Sequence, residues 1–227
     1  MNNNLQNITI IPNHDIIRQN SEQPEKKSKI PKVLHMIWVG ENEAPEYVST
    51  FLLQWKELMP DWSIRLWTNK DITTEHFPCD IVSLINLSNK GAQKADIMRY
   101  FIIEKYGGFY VDTDVIPHRS FDLLLNEWNN AGVLLCHDLD LTWEYISIGF
   151  FGSIQNHPVL QKACELIYVT TINTSDIHLK TGPHLLGKAV AFTQFEKNDV
   201  ILLPTNYFYR NLDYPYHFGH HFYSKLW

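Results

Sequence analysis

Several chemistries are excluded by patterns the chain does not contain. There is no GxSxG elbow, no GxGxxG turn and no Walker loop. Serine hydrolysis, dinucleotide redox chemistry and P-loop phosphoryl transfer therefore lack their signatures. Cysteine is scarce: Cys79, Cys136 and Cys164 are far apart and form no CxxC pair. Three such residues make neither a disulfide framework nor a zinc ribbon, and read as reduced core thiols. Basic residues do not predominate either. The 19 lysines and arginines are outnumbered by 25 aspartates and glutamates, for a formal net charge of -6. A nucleic-acid backbone is bound through a basic footprint, so no nucleic-acid partner is expected. No run approaches the roughly 20 apolar residues of a membrane-spanning helix. The first residues lack the charged and apolar regions of a secretory leader. Membrane contact is therefore expected to be peripheral at most.

What is present suits a sizeable core. Hydrophobic residues make up 44% of the 227 and aromatics 13%, as in a folded globular chain. Residues 1–29 differ. They are rich in Asn, Gln, Ser and Lys, and are expected to form a flexible extension to a single domain over 30–227. Within that domain the pattern is α/β. VLHMIWVG (33–40) is an apolar run ended by glycine, which reads as a buried strand. A helical pattern follows from Pro45 to Met59, with Val48, Phe51, Leu52, Trp55 and Leu58 at spacings of three and four. SIRLWTN (63–69) reads as the next strand. Strand, helix, strand implies a parallel pair. Further strands are expected in AGVLLCH, YISIGFFGS and VILLP, and helices over 158–170 and 183–195. Residues 70–89 carry no clear pattern. The stretch 207–227, crowded with aromatics and histidines, is expected to act as a lid.

Residues 91–116, GAQKADIMRYFIIEKYGGFYVDTDVI, concentrate the chemistry. They read as a helix over 92–106, a Gly107-Gly108 break, a short strand, and then Asp112 and Asp114 where the strand runs out. In α/β sheets, ligands bind outside the carboxyl ends of the strands. Two carboxylates so close are unfavourable without a positive charge between them, and a divalent cation bound to phosphates is one way to supply it. Alternation along an extended segment would point both carboxylates the same way and Thr113 the other. The other reading of such a pair is a turn capped by Asx hydrogen bonds.

Asp96 and Arg99 share a helix face. They form either a surface i,i+3 ion pair of small worth or a set of contacts to sugar or phosphate oxygens. Trp38, at the end of the first strand, is either a core tryptophan or a platform for a nucleobase. His217 and His221 have i,i+4 spacing but no HExxH partner.

Several blocks of this sequence closely resemble the DXD glycosyltransferases of the glycosyltransferase 32 group: IPKVLHMIWVG, KADIMRYFIIEKYGGFYVDTDV, NHP at 156–158, TGP at 181–183 and the C-terminal HHFYSKLW. That group includes capsule and O-antigen sugar transferases and yeast mannosyltransferases, and is similar to the catalytic domain of large glucosylating toxins. The resemblance implies a GT-A fold, a Rossmann-like α/β domain with a mixed, mainly parallel central sheet. It implies that Trp38 stacks on the base and that Asp96 and Arg99 bind the ribose or donor sugar. Asp112 would meet the donor and the cation, Mn²⁺ or Mg²⁺, and Asp114 would ligate that cation directly. His221, Ser224 or Trp227 of the tail would approach the metal and diphosphate. Asp138 and Asp140 are candidates for acceptor contact or for a base.

The function so implied is a metal-dependent, retaining transfer of a hexose from a nucleotide sugar, a UDP-hexose first of all. The acceptor would be a saccharide or lipid-linked oligosaccharide in surface polysaccharide (O-antigen or capsule) synthesis. A secreted effector that modifies a host protein, and a non-catalytic nucleotide-sugar-binding protein, are the alternatives.

Overall fold

The computed structural model describes residues 3–12, 27–137, 146–170, 181–209 and 217–224. In chain order the strands and α-helices are β1 (Thr9–Ile10), β2 (Val33–Ile37), α1 (Glu46–Leu58), β3 (Ser63–Trp67), α2 (Cys79–Leu87), α3 (Gly91–Tyr106) and β4 (Gly108–Val111). Then come β5 (Val115–Pro117), α4 (Asp122–Glu127), β6 (Val133–His137), β7 (Ile146–Ser153), α5 (Pro158–Thr170), α6 (Pro183–Phe192), β8 (Val200–Leu203) and β9 (Gly219–His221). Short 3-10 turns lie at Asn3–Asn7, Asn69–Asp71 and Thr205–Tyr207.

Among the described residues seven strands form one sheet in the order β1-β8-β6-β7-β4-β2-β3. All neighbours are parallel except at β7, which runs antiparallel to both β4 and β6. This is the mixed, mainly parallel sheet expected from the strand and helix rhythm. The apolar runs alternate between two cores. Ile37, Tyr110, Val133, Leu135, Val200 and Leu202 face α2, α3, α5 and α6. Leu34, Met36, Phe109, Val111, Leu134, Ile201 and Leu203 face α1, α4 and the chain around Phe208. A sheet covered on both faces explains why these strands read as continuous apolar runs.

α3 is more enclosed than a one-sided stripe of Ala95, Met98 and Ile102 predicts. All of 95–103 is buried, Asp96 and Arg99 included. A helix apolar over most of its circumference belongs inside a core. It ends at Gly107, whose amide donates to Ile103 O at 2.9 Å. Gly108 follows at φ 87°, where a Cβ would lie 2.4 Å from Val33 O. Only glycine lets β4 enter the sheet directly from this helix.

The structure departs from expectation at several points. Residues 3–12 of the N-terminal stretch are docked, not loose. β1 pairs with β8 as the edge strand, Asn7 Nδ2 donates to Phe195 O at 3.0 Å, and Thr9 Oγ1 donates to Asn198 Oδ1 at 2.8 Å. Leu5 and Ile8 of this stretch also pack on the core. Residues 207–209 are core as well: Phe208 stacks on Phe150 at 3.9 Å between centroids. Among the described residues, the part of the tail that approaches the DxD turn is 219–224. Cys79 is exposed, whereas Cys136 and Cys164 are buried thiols. Among the described residues no helix is long and apolar enough to cross a membrane.

Candidate active site

Asp112 and Asp114 leave the sheet at the carboxyl end of β4. They do not continue an extended strand. Val115 N donates to Asp112 O at 3.2 Å, so 112–115 is a tight turn. The carboxylates still converge, as alternation predicts, but the turn brings them together. Thr113 between them is fully buried.

The ribbon of β5 and β9 completes the cluster. Its register sets Val115 opposite His221, one residue from Asp114. His221 Nε2 lies 3.3 Å from Asp112 Oδ2 and 3.1 Å from Asp114 Oδ1. Burial opposes charge on His221, but the Asp112 and Asp114 carboxylates outweigh it and lift its pKa to about 9. Burial likewise opposes ionisation of Asp112, but the Arg99 guanidinium and His221 outweigh it and hold Asp112 down to about 2. The imidazolium thus supplies the positive charge that two neighbouring carboxylates require.

A network from α3 and β4 fixes Asp112 from behind. Tyr110 Oη donates to Asp112 Oδ1 at 2.6 Å, and Arg99 Nη1 lies 3.3 Å from the same oxygen. Arg99 Nη1 also donates to Ile148 O at 2.6 Å, and the guanidinium sits 4.4 Å over the Tyr110 ring. Arg99 Nη2 pairs with Asp96 Oδ1 at 2.9 Å, while Thr181 Oγ1 donates to Asp96 Oδ2 at 3.0 Å. The i,i+3 pair is therefore buried and not the surface pair that spacing alone allows. Both Asp96 oxygens and the Arg99 guanidinium meet protein partners, and Arg99 points at the DxD turn itself.

On the open side, Asp114 is held by the tail. Ser224 N donates to Asp114 Oδ2 at 2.8 Å, and Phe222 N donates to Asp114 O at 3.2 Å. β7 closes the other flank. Asp112 N donates to Gly149 O at 2.9 Å, and a Cβ on Gly149 would lie 2.6 Å from Asp112 Oδ2 and 2.9 Å from Tyr209 Oη. Gly149 is a close-approach glycine, required by the aspartate and not by its own backbone angles. Ser147 Oγ donates to Tyr209 Oη and accepts from Gly149 N at 3.1 Å, which locks this flank.

Trp38 leaves β2 at the same sheet edge, because β2 pairs in parallel with β4 through Leu34↔Phe109 and His35↔Tyr110. Trp38 is 7% exposed and its Nε1 donates to Asn42 O at 3.0 Å. Asp138, Asp140 and Trp227 lie outside the described residues. His217 does not join His221. The strand geometry of β9 replaces helical spacing, and His217 meets His118 with ring centroids 4.2 Å apart.

Sequence reasoning missed Tyr110, Gly149, Ser147, Thr181 and Tyr209. Tyr110 had a signal, since i and i+2 share a face of a strand. Thr181 lies in the TGP block that carries the resemblance, though spacing gave it no role. For Gly149, Ser147 and Tyr209 the sequence holds no one-dimensional signal.

Asp112, Asp114 and His221 present ligand atoms within 4.8 Å of one another. Asp114 Oδ1 is buried and receives no well-aligned hydrogen bond, although His221 Nε2 is near. Two carboxylates, one imidazole and a spare buried lone pair fit a hard or borderline divalent ion.

Comparison with known proteins points the same way. A family model described as "Glycosyltransferase sugar-binding region containing DXD motif" matches residues 45–132. Two relatives from Schizosaccharomyces pombe, inositol phosphoceramide mannosyltransferases 3 and 1, are 33% identical over 117 residues and 31% identical over 183 residues. The alignments take in 50% and 75% of this chain but 31% and 54% of those relatives, so the chain spans about a third to a half of their length. Among solved structures, the PaToxG glycosyltransferase is similar with a TM-score of 0.55 at 18% identity, over 71% of this chain and 68% of that chain. That likeness concerns the fold, and it agrees with the GT-A architecture expected from the sequence. The region matched by the family model contains both aspartates of the turn and the helix behind them, and over that region the chain is similar to DXD-motif glycosyltransferases.

Proposed function

We propose that this chain transfers a hexose from a nucleotide-sugar donor to a hydroxyl acceptor, with retention of anomeric configuration and with a divalent cation held at Asp112, Asp114 and His221. The observation that carries the reading is the convergence of those three side chains at the carboxyl edge of a mainly parallel sheet. When bound, a cation such as Mn²⁺ or Mg²⁺ neutralises the diphosphate and stabilises the departing nucleoside diphosphate. The protein's own residues prepare that place. Arg99 and Tyr110 hold Asp112 Oδ1, which leaves Oδ2 facing His221. The Ser224 amide orients Asp114 through Oδ2 and leaves Oδ1 inside the cluster. His221 must give up its proton to act as a ligand, because only the neutral ring has a lone pair to offer.

The acceptor belongs to the same proposal. A saccharide or lipid-linked saccharide in surface polysaccharide synthesis suits a transferase that works in the cytoplasm with peripheral membrane contact. The names of the two fission-yeast relatives favour a variant of this reading, in which the donor sugar is mannose and the acceptor hydroxyl belongs to a lipid headgroup. A hydrolysis screen over UDP-glucose, UDP-galactose and GDP-mannose, with Mn²⁺, Mg²⁺ and EDTA arms, tests the donor and the metal together. Turnover of one donor that EDTA abolishes is the expected result. Turnover that survives EDTA removes the metal role from Asp112 and Asp114, and no turnover with any donor removes the enzyme reading.

A further inference from the structure

Three non-glycine residues among those described have positive φ: Asn156 at 55°, Asn198 at 64° and Tyr223 at 52°. Asparagine tolerates the left-handed region. Tyrosine does not, because its Cβ crowds the following carbonyl. Strain of this kind persists only where the surroundings over-determine it, and it gathers at functional sites. Here the surroundings are specific. The amides on either side of Tyr223, Phe222 N and Ser224 N, both donate to Asp114, at 3.2 Å to its carbonyl and 2.8 Å to Oδ2. Phe222 is gripped in turn by α1, with its ring edge-on to Tyr47 at 5.2 Å and to Phe51 at 6.0 Å.

This turn sets the Tyr223 ring against His221, centroids 4.1 Å apart and 65° between planes, with Tyr209 at 6.5 Å. Core packing does not account for a tyrosine there, since the residue is 47% exposed. Asparagine or glycine would adopt the same backbone with less strain. A large ring held in a strained turn, half in solvent, beside the imidazole that joins both aspartates, is placed to meet a ligand.

We propose that Tyr223 is a substrate-contacting residue whose ring packs against the apolar C–H face of the donor's sugar. A pyranose carries hydroxyls around its rim and C–H groups on its faces, and a flat aromatic ring is the side chain best shaped to cover such a face. The sugar of a nucleotide sugar is bonded to the diphosphate, so it lies within one ring's reach of whatever holds that diphosphate. This inference rests on the donor reading above.

The test compares the wild type with Tyr223→Asn and Tyr223→Phe, all as the full chain with Mn²⁺. Calorimetry reads binding of intact UDP-glucose, UDP-galactose and GDP-mannose against UDP and GDP alone, and a thermal melt without ligand reads stability. Tyr223→Asn should bind the preferred nucleotide sugar about tenfold more weakly. It should bind the nucleoside diphosphate as the wild type does, and its Tm should equal or exceed the wild-type value. Tyr223→Phe keeps the ring and should keep sugar binding. Unchanged nucleotide-sugar affinity in Tyr223→Asn overturns the proposal, and so does an equal loss for UDP or GDP alone. A fall in Tm of more than about 5 °C also overturns it, because Tyr223 would then be a structural anchor. A wild type that binds no nucleotide sugar overturns the donor reading itself, which is a different outcome from a wild type that binds and a variant that matches it.

Discussion

Arg99 Nη1 stands 3.3 Å from Asp112 Oδ1 in the interior, between a helix and the end of the strand that follows it. The two residues are joined by a direct chain of cause. α3 ends at Gly107-Gly108, β4 turns back beside it, and the last turn but one of the helix faces the first aspartate of the DxD turn. The guanidinium therefore orients a carboxylate of the site, and its own charge is offset by Asp96 on its other flank.

Arg99→Leu should destabilise the fold by about 3–5 kcal/mol, the usual effect of leaving a buried charge unpaired. Asp96 would lose its cation, and Asp112 would keep only His221. Urea denaturation of the two proteins measures the difference. A loss below about 1 kcal/mol would assign the pair to the weak surface class and contradict its burial.

Asp114→Asn should weaken Mn²⁺ binding by about tenfold or more, because it removes a charged ligand while it keeps an acceptor for Ser224 N. Titration calorimetry with Mn²⁺ reads this directly and needs no substrate. A variant that binds Mn²⁺ as the wild type does would take Asp114 out of the ligand set.

Gly149→Ala should impair the site more than the fold. Its new methyl falls 2.6 Å from Asp112 Oδ2 and 2.9 Å from Tyr209 Oη, and overpacking of this kind costs about 1–3 kcal/mol. The aspartate must move away from His221. Mn²⁺ affinity and donor turnover should both fall while far-UV circular dichroism stays unchanged. Full activity would show that the strand yields instead.

His35 predicts how stability depends on pH. Burial, opposed by a hydrogen bond to Gly107 O and aided by Arg65, lowers its pKa to about 4. Its Nε2 must be the protonated nitrogen, since Gly107 O at 3.0 Å only accepts, and Nδ1 then accepts from Trp67 Nε1 at 3.0 Å. A second proton on Nδ1 breaks that bond. The folded pKa lies below the unfolded value of about 6.5, so the unfolded chain binds more protons between the two. Stability should be full above pH 6.5 and fall as pH drops towards 4, by up to about 3 kcal/mol from this residue. His118, His137 and His157 are lowered too and act in the same direction. The steeper acid loss of the wild type relative to His35→Gln isolates the one residue, and parallel curves would refute the assignment.

Much of the frame was legible from local pattern. Strands at 33–37, 63–67 and 133–137 and helices at 46–58, 91–106 and 158–170 follow from apolar periodicity, Pro45 and Pro158 at helix starts, and glycine at the end of α3. α2 was not legible, because its nine residues carry too little pattern to separate a helix from a loop. The ribbon of β5 and β9 escaped as well, since three-residue strands have no period to detect. The tail read as one lid because aromatics mark both core and rim. Packing of Phe208 on Phe150 assigns the first part to the core.

By itself the sequence determined most of the longer strands and helices, the glycine break, and two aspartates at a strand end. Each of these depends on residues a few positions apart. Only the tertiary structure decided that His221 lies between those aspartates, 109 residues from Asp112. It also decided that Arg99 serves Asp112, that Gly149 must lack a side chain, and that Tyr223 is held in a strained turn. Those facts depend on strand register and on which faces become buried. Both are set by contacts between distant segments, and these leave no spacing in the chain to read.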